Sequence, residues 1–301
     1  MTELFYVFLN VILPVFVIVL LGAIFGGKLE LESRTLTRAA YYVFVPAFIF
    51  QAISSAQLPF ADAVKMLIFI ILTHLAAVFV AGGIGRLLGY SREMIAAFVM
   101  IAAFGNVGNY GLAMIRFRLG DESIVPATIY YVAIAIFAFI ICVGAAGWAH
   151  GGAHGAFWKV LKTPALWATI PAAMISAGDF QVPLMLGRMI GLLADAMIPV
   201  MLFALGLQLF EQGKVHLTGN VLLGTGIRLI LTPFLAYMIA QPFHLSRIES
   251  ASGVLQAAMP AAVLVSIIAK ENDIIPDFVT SVVVVSTLFS VVTLSVLMVV
   301  L

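Results

Sequence analysis

One cysteine, Cys142, in 301 residues excludes an intramolecular disulfide framework. Charge is as scarce. Only 10% of the residues are Asp, Glu, Lys or Arg, against about a quarter in a soluble domain. The net charge is +1 with no basic tail, so nucleic acid is not an expected partner. Catalytic motifs are missing too. The chain has no His-Glu-x-x-His, no Gly-x-Ser-x-Gly, no Gly-x-Gly-Asp and no Gly-rich phosphate loop. Gly120-Asp121 and Gly178-Asp179 lack the preceding Gly-x. An intramembrane enzyme is therefore not expected, and neither is an organic cofactor. The N-terminal Met-Thr-Glu has no basic n-region, so the first apolar run reads as a retained span rather than a leader.

What remains is apolar. Hydrophobic residues make up 63% of the chain and the mean hydropathy is +1.18. A bilayer crossing needs about 20 mostly apolar residues. Ten segments qualify: 4–27, 33–54, 61–85, 92–117, 121–148, 160–177, 183–210, 217–241, 247–270 and 275–301. The protein is thus expected to be an all-α membrane protein with ten transmembrane helices. Helix-start signals support the partition. Thr163-Pro164 offers a first-turn proline, and Ser246-Arg-Ile-Glu249 fits a capping box.

The two halves of the chain resemble each other. VFVPAFIFQ (43–51) matches AMIPVMLFA (196–204), and ILTHLAAVFVA (71–81) matches LILTPFLAYMIA (229–240). SREMIAAFVMIAAFG (91–105) matches SRIESASGVLQAAMP (246–260), and IVPATIYYVAI (124–134) matches IIPDFVTSVVV (274–284). The offsets stay near 150–159 residues in the same order. The expected organisation is a first five-helix repeat at 1–149, a cytoplasmic linker at 150–159 and a second repeat at 160–301. Five is odd, so the second repeat is inverted, a construction typical of secondary transporters. Lysines and arginines in the connections count nine against five in favour of both termini lying outside.

One stretch is out of character for a membrane helix: Phe104-Gly-Asn-Val-Gly-Asn-Tyr-Gly-Leu-Ala-Met114. Asparagine competes for backbone hydrogen bonds and glycine adds backbone entropy. Freed backbone groups are tolerated in hydrocarbon only where buried in protein or facing a wet cavity. The matching segment, QAAMPAAV (256–263), contains Pro260, which removes a helical donor. Paired interruptions in corresponding spans point to a transporter binding site. The residues this places at the substrate are Asn106, Gly108, Asn109, Tyr110, Gln256, Met259, Pro260 and Ala261. Helix N-termini at such breaks favour anions.

Several motifs in order resemble the auxin efflux carrier family of permeases, which includes the plant PIN carriers and bacterial malate or malonate permeases. ILPVFVIVLLGAIFG (12–26), YYVFVPAFIFQAIS (41–54), FGNVGNYGLA, IPVMLFALGLQL (198–209), IRLILTP (227–233) and AAMPAA (257–262) carry the likeness over nearly the whole chain. Ala113 departs from it, standing where many members have proline. The resemblance implies two inverted repeats with broken, crossing fourth and ninth helices, as in bile acid/sodium symporters and NhaA. Spans one, two, six and seven would form a scaffold, the implied homodimer contact. The other six would move.

The implied function is secondary transport of small carboxylates across a bacterial cytoplasmic membrane. The alternative is a sodium-coupled symporter of larger amphipathic acids. A receptor or channel is a further class, disfavoured by paired breaks. Among the remaining membrane polar residues, Asp195 and His74 are candidates for coupling to Na+ or H+. Arg228, Tyr130 and Tyr131 are supporting candidates. No residue is assigned to a metal.

Overall fold

A computed structural model describes residues 2–56, 59–150, 164–178, 180–212 and 214–301. Most of the expected 150–159 linker lies outside the described residues. The described chain is all α-helical, with twelve helices. These are α1 (Glu3–Lys28), α2 (Ser33–Ser54), α3 (Ala61–Leu87), α4 (Arg92–Ala103), α5 (Leu112–Leu119) and α6 (Ile124–His150). They continue as α7 (Pro164–Ala177), α8 (Leu184–Phe210), α9 (Gly219–Phe243), α10 (Arg247–Ala257), α11 (Val263–Glu271) and α12 (Pro276–Val300). Seven of them, α1, α2, α3, α6, α8, α9 and α12, are long and apolar enough to cross a bilayer. The protein is an integral membrane protein. The sixth expected segment appears only as α7, a helix of 14 residues among those described. The fourth and ninth are each two short helices separated by a break.

Local chemistry explains the helix ends and irregularities. Ser91 caps α4 by accepting the Met94 N–H at 3.2 Å. The expected capping box opens α10: Glu249 N–H donates to Ser246 Oγ, and Ser246 N–H donates to the Glu249 carboxylate at 2.8 Å. Four π-helical turns occur among the described residues, at Phe8–Ile12, Ala40–Phe44, Val107–Gly111 and Ile227–Leu231. Three begin six residues before a proline, namely Pro14, Pro46 and Pro233. A proline ring pushes away the carbonyl four residues earlier and supplies no N–H, so the helix widens there. The fourth turn begins six residues before Ala113. The same geometry is reached without the proline, next to glycines.

The helices pack in two groups. In one, α8 lies against α1 and α2, and α7 against α2. In the other, α3, α4 and α6 pack mutually, α9 packs on α3, α10 and α12, and α11 packs on α12. Close approach in the first group depends on glycine. A methyl added at Gly22 would overlap the Phe203 carbonyl, and one at Gly206 would overlap the Val19 carbonyl. Small residues let membrane helices meet backbone to backbone, where apolar lipid provides no hydrophobic drive.

Candidate functional site

The two breaks meet. Phe104, at φ −118° and ψ 95°, leaves the helical region after α4. Gly105 forms an isolated antiparallel bridge with Ala261. Asn106 N–H donates to the Pro260 carbonyl at 2.7 Å, and Ala262 N–H donates to the Phe104 carbonyl at 3.0 Å. Ala261 N–H donates to Ser286 Oγ of α12 at 3.1 Å. Backbone groups freed by each break are thus satisfied by the other break and by a serine. That is the condition for irregular backbone at membrane depth.

The three glycines of the first break are sockets for side chains from three other helices. A Cβ at Gly105 would collide with the Arg228 guanidinium of α9. One at Gly108 would stand 2.6 Å from the Tyr131 ring of α6, and one at Gly111 would collide with the Gln256 amide of α10. The break therefore serves unwinding and close packing together.

Arg228 is fully buried and turned inward, between the two broken segments. Its Nε donates to the Met259 carbonyl at 2.7 Å, and its Nη1 donates to the Ala102 carbonyl at 2.9 Å. The Ala102 carbonyl is in the last turn of α4, and the Met259 carbonyl lies two residues beyond the end of α10. Its Nη2 has no hydrogen-bond partner among the described residues, and neither does Asn106 Nδ2, although both are buried. Buried donors without partners are uncommon and costly.

The other site residues take graded positions. Gln256 is buried and its Nε2 donates to the Ala127 carbonyl at 3.2 Å, while its Oε1 lacks a partner among the described residues. Asn109 is half-buried, and Met259, Pro260 and Ala261 are buried. Tyr110 is buried, shares a hydrogen bond with Ser290 of α12 at 3.0 Å and sets its ring edge-on to Phe16 of α1. His74 and Tyr130 form a buried pair, with Nε2 and Oη 2.8 Å apart, joining α3 to α6. Tyr130→Phe should leave the His74 ring nitrogen unpartnered, at a cost of about 1–3 kcal/mol. Thermal unfolding of the purified variant should show a lower midpoint. An unchanged midpoint would mean that the pair does not tie α3 to α6.

Asp195 is not part of this cluster. It is exposed and lines a separate cleft of about 290 Å³ between the two helix groups. Gln51 and Ala52 of α2 and the Ser55 that follows it line one wall, and Arg116 and Asp121, ion-paired at 2.8 Å, line another. Burial therefore gives Asp195 no reason to take up a cation.

Sequence comparison finds membrane transporters. Residues 153–298 match a family model described as "Membrane transport protein". An "Uncharacterized transporter" of Methanothermobacter thermautotrophicus is 26% identical over 287 residues, 94% of this chain and 95% of that protein. "Uncharacterized transporter YfdV" of Escherichia coli is 25% identical over 300 residues, 95% of each. A "Putative malonate transporter" of Rhizobium meliloti is 23% identical over 303 residues, 95% of this chain and 93% of that protein. The chain belongs to this membrane transport family, that of the auxin efflux carriers.

As a transporter of this family it is not an enzyme, in keeping with the missing catalytic motifs. Two residues of the transporter's crossover escaped the sequence reading, Ser286 and Ser290. Their signal was available: hydroxyls four residues apart lie on one face of a helix, here within an apolar span. Arg228, a supporting candidate from the sequence, stands between the two broken segments.

Proposed function

We propose that the protein is a secondary carrier of small organic anions that binds a carboxylate where the two broken helices meet and works by alternating access. One observation carries this reading. The unpartnered buried groups at the crossing include two that can only donate hydrogen bonds, Asn106 Nδ2 and Arg228 Nη2. Such groups suit an anion and oppose a cation. The π-helical turn that starts at Val107 and runs on into α5, and α11, which starts at Val263, both begin beside the crossing, and their first-turn N–H groups add positive potential. Asn109 and Gln256 stand beside them as further amide donors, and Tyr110 and Met259 form walls. The relative named for malonate makes short dicarboxylates the first substrates to test.

The packing of helices supports an inverted repeat. Exchanging the first five segments for the second five turns the α1–α8 contact into the α7–α2 contact, and both contacts exist. The same exchange relates α3–α4 to α9–α10 and α3–α6 to α9–α12. On this reading the chain crosses a bacterial cytoplasmic membrane ten times. The group of α1, α2, α7 and α8 is the scaffold and the dimer contact, and the other group moves in elevator fashion. Asp195 lies at the cleft between the groups, where a carboxylate governs access. Both termini then lie outside, which puts the turn after α5 outside as well. Glu122→Cys, in a chain whose buried Cys142 is replaced by Ala, should react with an impermeant thiol reagent added to intact cells. Labelling only after permeabilisation would reverse the orientation.

The direct test is uptake by proteoliposomes of mono- and dicarboxylates, with and without sodium or a pH gradient. Saturable uptake of malonate or a similar acid is expected. Uptake restricted to bulky amphipathic acids with sodium would favour a symporter of the bile acid type. No movement of any carboxylate would end the proposal.

A further inference from the structure

The charge balance around Arg228 goes beyond substrate binding to the question of what accompanies the substrate. The carbonyls at a helix C-terminus lack helical partners and together carry roughly half a negative charge. Here two such ends, those of α4 and α10, converge inside the membrane. Converging carbonyls are the ligands that a hard cation such as Na+ seeks. In this protein the position between them is taken by a guanidinium, bonded to Ala102 on one side and Met259 on the other. Arginine does not deprotonate in proteins, so the charge is permanent. No salt bridge joins it to an acid among the described residues. One positive charge therefore faces about one negative charge from two helix ends. The N-terminal ends of the helix that starts at Val107 and of α11, with roughly half a positive charge each, have no side-chain cap. Their sum matches one carboxylate.

We propose that Arg228 is a built-in counter-cation: it occupies the place of a mobile coupling ion, so that the carrier loads its anion without co-binding Na+. Gly105 is part of the device, because only a residue without Cβ leaves room for the guanidinium at the crossing. The π-helical turn Ile227–Leu231 holds Arg228 in α9, where Pro233 widens the helix. Arg228 thus acts as a positioning residue for the two broken helices. The proposal rests on the carboxylate reading for its transport readout and on the hydrogen bonds for its stability readout.

The experiment compares the wild type, Arg228→Lys and Arg228→Ala in proteoliposomes, with malonate uptake measured in sodium chloride and in choline chloride. Wild-type rates should agree within about twofold between the two salts. Arg228→Ala should be at least about tenfold slower in choline, and Na+ or millimolar guanidinium chloride should restore part of the rate. Arg228→Lys should be slower than the wild type but equally indifferent to sodium, because it keeps the charge and loses the fork. A wild type that needs sodium would overturn the proposal. So would Arg228→Ala running at the wild-type rate in choline, or a folded Arg228→Ala that neither cation restores. If Arg228→Ala does not fold, Arg228→Lys decides, and a sodium requirement in it overturns the proposal. If the wild type moves no carboxylate, the substrate reading fails by itself. The counter-cation is then read from melting: millimolar guanidinium should raise the midpoint of Arg228→Ala and leave the wild type unmoved, and no such rise overturns it.

Discussion

Asn106→Ala should weaken carboxylate binding about tenfold to hundredfold while leaving the purified protein at least as stable as before. The first part follows from losing one hydrogen bond to a charged group, about 1.5–3 kcal/mol. The second part separates a ligand role from a structural one. Asn106 holds the crossing through its backbone N–H, bonded to Pro260, and alanine keeps that bond. The side-chain Nδ2 has no protein partner among the described residues, so its removal deletes a desolvated donor without stranding another group. Calorimetric titration with malonate and thermal melting of the same samples would read both quantities. Asn109→Ala should cost no more affinity, since Asn109 lies past the break and is half-buried. A variant that binds malonate as well as the wild type, or one that melts much earlier, would place the anion site elsewhere.

The largest effect on folding is expected from a single methyl in α8. Gly206→Ala should strongly reduce the yield of monodisperse protein and lower its melting midpoint, whereas Gly187→Ala in the same helix should be neutral or mildly stabilising. The added Cβ at position 206 would overlap the Val19 carbonyl oxygen and press on the Ala23 nitrogen, all backbone atoms of α1. No rotamer change relieves backbone overlap, so the helices must separate, and overpacking of this kind costs about 1–3 kcal/mol or more. At position 187 nothing lies within 4 Å of the new Cβ. There alanine gains the helix propensity that glycine lacks, about 1 kcal/mol. Size-exclusion profiles and melting of the pair would check it. Equal behaviour of the two variants would mean that α1 and α8 do not meet at these glycines.

Both results depend on knowledge of different kinds. The amino-acid sequence by itself determined that the chain lies in a membrane, because no soluble fold exposes so apolar a surface with so few charges. It also determined where helices begin and break. Ser91, Ser246 with Glu249, and Pro14, Pro46, Pro233 and Pro260 act within one or two turns, and such short-range signals can be read from neighbours alone. The asparagines and glycines of 105–111 announced a break for the same reason. What they could not announce was its partner. The pairing of Gly105 with Ala261 joins residues far apart in sequence, and only the packed structure brings them together. The same holds for Arg228, whose role follows from carbonyls of α4 and of the segment after α10 rather than from its own helix. Asp195 shows the converse. A carboxylate midway along an apolar run is expected to be buried, but a helix has several faces, and packing turned this one toward a cleft. Depth along a helix is a one-dimensional property that the sequence carries. Which face is covered, and by what, is decided by the other helices.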